Sequence, residues 1–312
     1  MNENKRYNHA KITPRQKLVG GIVVSFVFFL FIFVKFAPPA ADWIGTFYPV
    51  ARNPLQPYKI PTFINPPWTV VLLWPLGLLP VNWAQAVNAT LNLIIIALLV
   101  IKKGGGKVSL IMTLSSFPFL SLLANGSIEW IPALGFIFMN EWGLPFLLAK
   151  PQSGLLAGLV WFRNLKNPIR FILPSLGVVV LSFFIWKNWI GDLLSNVAYM
   201  QNIKVGLFTV SISLWPWSII PGSILLIYLI WRLWGSRNSQ LSPSAEKGYE
   251  LIAIAATLCF SPYFVPHSLT IIFALLSAYN RKLGTAAWIL LWLYPIITHW
   301  IVFISILGFR VH

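Results

Sequence analysis

Long apolar runs recur from one end of this chain to the other, and they restrict its fold more than any other feature. Leu18–Phe36 reads LVGGIVVSFVFFLFIFVKF, with no acidic residue and only Lys35 near its far end. Phe171–Trp186, Ile219–Trp231 and Trp288–Leu307 are comparable. Each lies near the roughly 18 residues that read as a membrane-crossing helix. The chain is 57% hydrophobic and 10% charged, whereas soluble domains carry about 25% charged residues. A soluble fold of this length would lack charged surface. The expectation is an all-α polytopic transmembrane helical bundle of about eight to ten spans, forming a single integral membrane domain over residues 1–312.

The formal net charge of +16 raises a nucleic-acid reading, which the placement of the charges excludes. Lys and Arg fall in short clusters between apolar runs and make no basic helix face. That is the positive-inside pattern. Lys5, Arg6, Lys11, Arg15 and Lys17 place the N-terminus in the cytoplasm, implying a multi-pass protein of the plasma (inner) membrane. Threading on from there puts 16 of the 23 Lys and Arg inside and six outside or at the outer edge, with Lys150 within a span. Segments 38–66 and 187–217 become outside loops with juxtamembrane helices. The basic start and Ala37–Ala41 (APPAA) loosely resemble a signal peptide, but 19 apolar residues exceed the 7–15 of a typical signal core, so the first helix is expected to be retained.

Asn82–Ile101, Val108–Leu123 and Phe171–Trp186 read as spans. Pro66–Pro80 is too short to cross a core about 30 Å thick and reads as a half-helix. Residues 127–162 fit either a re-entrant piece, Ile128–Met139, followed by a span, Gly143–Phe162, or three short crossings.

Seven acidic residues and one cysteine, Cys259, limit the chemistry. A carboxylate at a membrane boundary is costly enough to need a reason. Asp42 follows the first helix on the outside, where it is either a general base for a hydroxyl or a helix cap and partner of Arg52 or Lys59. Lys150 precedes Pro151 in an apolar segment. It either snorkels or meets a phosphate beside backbone groups freed by the proline. His267, in an outside turn, is either incidental or a phosphate donor and proton shuttle. Glu129, after the Asn125-Gly126 turn, faces the same outer side; Glu141 and Asp192 are weaker candidates. His9, His299 and His312 do not cluster with carboxylates, so no metal site stands out. Trp43, Tyr48, Tyr58, Trp68, Trp74 and Trp83 form either an interfacial aromatic belt or a glycan or lipid groove.

Asn65-Pro66-Pro67 followed by Leu72-Leu73-Trp74-Pro75-Leu76-Gly77-Leu78-Leu79-Pro80 resembles the YPP…LL.PL.LLP stretch of glycosyltransferase family 87, the polyprenyl-phosphate-mannose-type transferases of the GT-C superfamily. The Ala84…Asn92 helix, Asn125-Gly126-Ser127, Leu148-Ala149-Lys150-Pro151 and Ser261-Pro262-Tyr263 with His267 resemble later segments of that family in the same order. Residues 38–280 are broadly covered. The resemblance implies inverting transfer of a mannose-like hexose or pentose from a polyprenyl-phosphate donor to an acceptor on the outer face. Asp42 would be the base, with Lys150, His267 and Arg52 on the donor phosphate. Trp43, Tyr48, Tyr58, Asn125, Glu129 and Tyr263 would line the cavity. No cofactor is implied beyond the donor lipid, and a divalent metal is left open. The partners implied are the bilayer, the polyprenyl-phosphate lipid and another membrane protein, with no nucleic acid. Acceptor recognition falls to loops 38–66 and 187–217 or to that partner. The chain is shorter than usual for the family, its Asn-Gly-Ser turn lacks the usual Gln, and its Lys-Pro spacing is tighter. The alternative is therefore a non-catalytic GT-C-derived lipid-binding or accessory subunit of a membrane complex.

Overall fold

The computed structural model describes residues 14–139, 142–165, 167–202, 213–235, 241–263 and 265–306. The basic residues Lys5, Arg6 and Lys11, together with Glu3, His9, Glu141, Lys204, Arg237 and His312, lie outside these. All regular structure among the described residues is helical. Helix α1 (Pro14–Phe36) leads through residues 37–42 into a π-helical turn, Trp43–Phe47, that continues as α2 (Tyr48–Arg52). Then come α3 (Thr69–Gly77), α4 (Val81–Lys102), α5 (Lys107–Leu114), α6 (Phe117–Asn125), α7 (Trp130–Phe138), α8 (Gly143–Ala149) and α9 (Ala157–Asn164). The remainder is α10 (Pro168–Trp186), α11 (Trp189–Asn202), α12 (Ile219–Gly235), α13 (Pro243–Phe260), α14 (Thr270–Tyr279) and α15 (Arg281–Ile306).

Among the described residues two helices, Val81–Lys102 and Ile169–Trp186, are long and apolar enough to cross a membrane, and α5 with α6 makes a third if that bent pair acts as one span. Their settings differ. In α4 61% of the apolar window is buried in the protein, against 17% in α10, so α4 is the central post and α10 an outer helix. The outward face of α10, with Ile169, Leu173, Leu176 and Phe184 exposed, is the surface expected of a helix against hydrocarbon.

The structure divides Val108–Leu123, which the sequence reads as continuous, and Gly143–Phe162, which the sequence reads either as one span or as part of three short crossings. Val108–Leu123 is bent by 50° between α5 and α6. Ser116 starts a new helix there, its hydroxyl accepting from the Phe119 N–H at 3.4 Å, with Pro118 in the first turn. The Gly143–Phe162 span is likewise replaced by α8 and α9. A residue before proline is driven to extended backbone, and Lys150, at φ −143°, ends α8. Gly154 then holds φ +149° against Phe136 and Ile254, a backbone that only glycine adopts easily. Pro66–Pro80 carries the nine-residue α3.

A polar stripe on α4 positions the loops that matter below. Gln85, Asn88 and Asn92 lie at i, i+3 and i+7, on one helix face. The Gln85 carboxamide accepts from Ala40 N–H at 3.1 Å and donates to Pro38 O at 2.6 Å. Asn88 donates to Gly126 O and Ser127 O at 3.0 and 3.2 Å, and Asn92 to Ser127 O at 2.7 Å. Both side-chain oxygens accept from Trp130, Asn92 from its backbone N–H and Asn88 from its indole, each at 2.9 Å. Amides inside an apolar helix cost free energy unless bonded. Here each is bonded, and the bonds fix segments 38–40 and 126–130 against the same post.

At the other end of α4, Glu250 collects four donor contacts. Lys103 Nζ donates to its two oxygens at 2.8 and 3.0 Å, Trp161 Nε1 donates at 2.7 Å, and the Tyr279 hydroxyl donates as well. Burial pushes the Lys103 ammonium below its ordinary pKa, and Glu250 offsets part of that. The cluster joins the end of α4 to α9, α13 and α14.

Candidate functional site

The chain turns at Pro38–Ala40, held by Gln85, and re-enters a helical path at Ala41. Ala41, Asp42, Gly45 and Thr46 then share one face, which lines a cavity of about 280 Å³. The opposite wall comes from distant parts of the chain: Asn125 and Ser127 at the end of α6, Lys150 after α8, and Tyr263 and His267 before α14. Each contributing loop has a local reason to turn where it does. Gly126 caps α6 in the left-handed region at φ +72°, as helix-ending glycines do. A Cβ there would come within 2.7 Å of the Trp43 Cβ. Pro151 and Pro266 each open a short 3₁₀ turn that ends the preceding segment.

Asp42 Oδ2 lies 3.7 Å from His267 Nε2, with the Asp42 side chain 32% exposed and that of His267 7% exposed. Burial pushes the Asp42 carboxyl up to about 6, partly offset by the Lys150 charge. Burial and the same Lys150 push His267 well below its usual range. The 3.7 Å approach is therefore a neutral imidazole beside a carboxylate, not an ion pair. His267 Nδ1 and Asn65 Oδ1, both buried at this cavity, have no hydrogen-bond partner among the described residues. Buried polar atoms of this kind are a minority in native folds. Burial, with Asp42 second, pushes Tyr263 up to about 12, so its hydroxyl stays protonated.

Lys150 does not stand free. Its ammonium donates to Glu129 and, at 2.9 Å, to Ser127 Oγ. The second Glu129 oxygen accepts from Ser153 Oγ at 2.8 Å. Thr69 Oγ1 donates to Ala149 O at 2.8 Å and holds that turn in place. With Glu129 fully buried and Lys150 nearly so, this is a neutralised pair with one end reaching the cavity.

Of the residues expected at a site, the structure brings together Asp42, Lys150, His267, Asn125 and Tyr263. It places the others elsewhere. Arg52 points away, its guanidinium donating to Gly77 O at 3.3 Å. Tyr48 donates to Leu79 O at 3.0 Å. Trp43 is wholly buried and packs behind the cavity on Gly126. Glu129 stands behind Lys150 and is not on the wall. Tyr58 belongs to a second cavity. The phase of the helical turn explains the first three: Asp42 and Thr46 face inward, so Trp43, Tyr48 and Arg52 face other neighbours. Gln85, Asn88, Asn92 and Ser153 build the site and are not singled out by the sequence reading. An amide pair at i, i+4 in an apolar helix was the available signal. Among the described residues no three His, Cys, Asp or Glu side chains group as they would around a metal ion.

Chemically, the cavity offers a carboxylate whose pKa is raised to about 6, a neutral imidazole, one compensated ammonium and several amides and hydroxyls. That set suits proton removal from a hydroxyl together with contacts to a polar, hydroxylated ligand. Comparison with family models, curated proteins and solved structures gives no match.

Proposed function

We propose that this chain is a GT-C-type glycosyltransferase of the membrane, crossing the bilayer several times. It would move a mannose-like hexose or a pentose from a polyprenyl-phosphate donor to an acceptor on the outer face. The observation that supports this reading is the convergence of Asp42, Lys150 and His267, widely separated in sequence, on one cavity. The Asp42 carboxylate takes the proton of the acceptor hydroxyl. That oxygen forms its bond to the anomeric carbon as the carbon–oxygen bond to the lipid phosphate breaks, inverting the centre. Lys150 shares its charge with the departing phosphate, and neutral His267 offers it an N–H.

Among these residues, an ionised Asp42 and the Glu129–Lys150 pair leave one net negative charge in or behind the wall. A singly charged phosphodiester must therefore share Lys150 with Glu129. That pairing is also the observation favouring the second reading, a lipid-binding or accessory subunit without catalysis.

Transfer from radiolabelled polyprenyl-phosphate hexoses and pentoses, followed in proteoliposomes against pH, tests the proposal. A base must be ionised to act, so the rate is expected to rise through about pH 6 and then level off. His267, held neutral, adds no second limb near neutrality. A rate flat through that region would place the base elsewhere, and no transfer from any donor would leave the second reading.

A further inference from the structure

A second cavity, of about 320 Å³, lies between residues 55–59 and the junction of α10 with α11, and is lined by Gln56, Tyr58, Lys59, Trp186 and Asp192. We propose that this cavity binds the acceptor through a neutral glycosyl unit. The inference rests on the transfer reading above for the word acceptor, and on the cavity alone for the ligand class.

The walls are braced by specific bonds. Trp186 Nε1 donates to Pro54 O at 2.8 Å. Asn196 of α11 donates to Ile60 O and Phe63 O, each at 3.0 Å. The Tyr58 hydroxyl donates to Asn65 O at 3.0 Å. Both aromatic residues thus have their polar tip satisfied by backbone, and what remains for a ligand is ring surface. The C–H face of a sugar ring packs on such surfaces, as other apolar groups do.

The charged groups complete the match. No ion pair within 4 Å joins Lys59 or Asp192 to each other or to any other described residue. Both are solvent-exposed. They offer one charged donor and one charged acceptor in a cavity with no net charge. Hydroxyl groups satisfy both kinds of partner at once, because each is donor and acceptor. A phosphate or carboxylate would satisfy Lys59 and be repelled by Asp192.

The position fits an acceptor. Tyr58 lines this cavity, and the carbonyl it bonds belongs to Asn65, which lines the Asp42 cavity. Helix α11 carries Asp192 at this site and Met200 at the other, a separation of about 12 Å at 1.5 Å per residue. A glycan held by Tyr58 and Trp186 that extends along α11 by about that length runs toward the cavity that Asp42 and Met200 line.

The test uses the full chain in nanodiscs and saturation-transfer NMR with the methyl glycosides of mannose, glucose and galactose, with glucuronate as the charged control. Wild type and Asp42→Asn are expected to bind at least one neutral glycoside better than glucuronate. Asp192→Ala and Lys59→Met, at exposed positions that leave the fold intact, are expected to weaken that binding about tenfold. Binding unchanged in both variants, absent in wild type, or stronger for glucuronate would overturn the proposal. Binding that depends on Asp192 in a protein that transfers no sugar would uphold this site and remove the transfer reading.

Discussion

Asp42→Asn is expected to lower sugar transfer by roughly 10²- to 10⁴-fold, the range over which a positioned general base contributes, with no loss of folded protein. The two side chains have the same shape, and the Asp42 side chain is about a third exposed, so the amide replaces the carboxyl without a cavity or a clash. What it removes is the capacity to take a proton. The surroundings explain why this carboxylate, of the seven in the chain, is the one to test. Burial brings its pKa to about 6, high enough for a useful base and low enough to be ionised at neutrality. His267, 3.7 Å away, is held neutral. Initial rates in proteoliposomes, with melting curves for both proteins, check the result. A fall of less than about threefold would remove Asp42 from the proton transfer.

Glu250→Leu is expected to destabilise the fold by about 3–5 kcal/mol, the cost of stripping one partner from a buried charge pair. Glu250 is 1% exposed and receives Lys103, Trp161 and Tyr279. The leucine leaves a largely buried ammonium, the buried Trp161 indole N–H and the partly buried Tyr279 hydroxyl without their acceptor. Adding Lys103→Met to Glu250→Leu should recover much of the loss, because paired charges replaced together by apolar groups cost little. Thermal unfolding in one detergent measures both. A single substitution costing under about 1 kcal/mol would show that water or another group reaches Lys103.

What the sequence reveals about this molecule follows the physics of each element. Asn82–Ile101 appears as α4 within one residue at either end, because one unbroken apolar run with basic residues after it has few other ways to fold. Phe171–Trp186 is legible too, although α10 begins three residues earlier, at Pro168 after the Asn167 cap. The break after Lys150 was signalled by Pro151, but where the chain goes next depends on Gly154 against Phe136 and Ile254, a tertiary contact. Asp42, Lys150 and His267 stand out because polar groups are rare in so apolar a chain. The directions of Trp43, Tyr48 and Arg52 do not, since a π-helical turn sets their phase. Glu129 reads as a wall residue until its partner is known. The stripe Gln85, Asn88 and Asn92 is visible as a pattern, but its partners are backbone groups elsewhere in the chain, which sequence does not name.

In the proposed transfer, the one cavity that Asp42, Lys150 and His267 line receives the phosphate end of a polyprenyl-phosphate sugar. Photo-crosslinking in nanodiscs with a polyprenyl phosphate carrying a photoreactive group next to the phosphate, followed by peptide mapping, addresses it directly. Label is expected on residues 41–47 and 263–268, and unlabelled polyprenyl-phosphate sugar should compete it away. Label confined to the outward face of α10, indifferent to competitor, would contradict the claim.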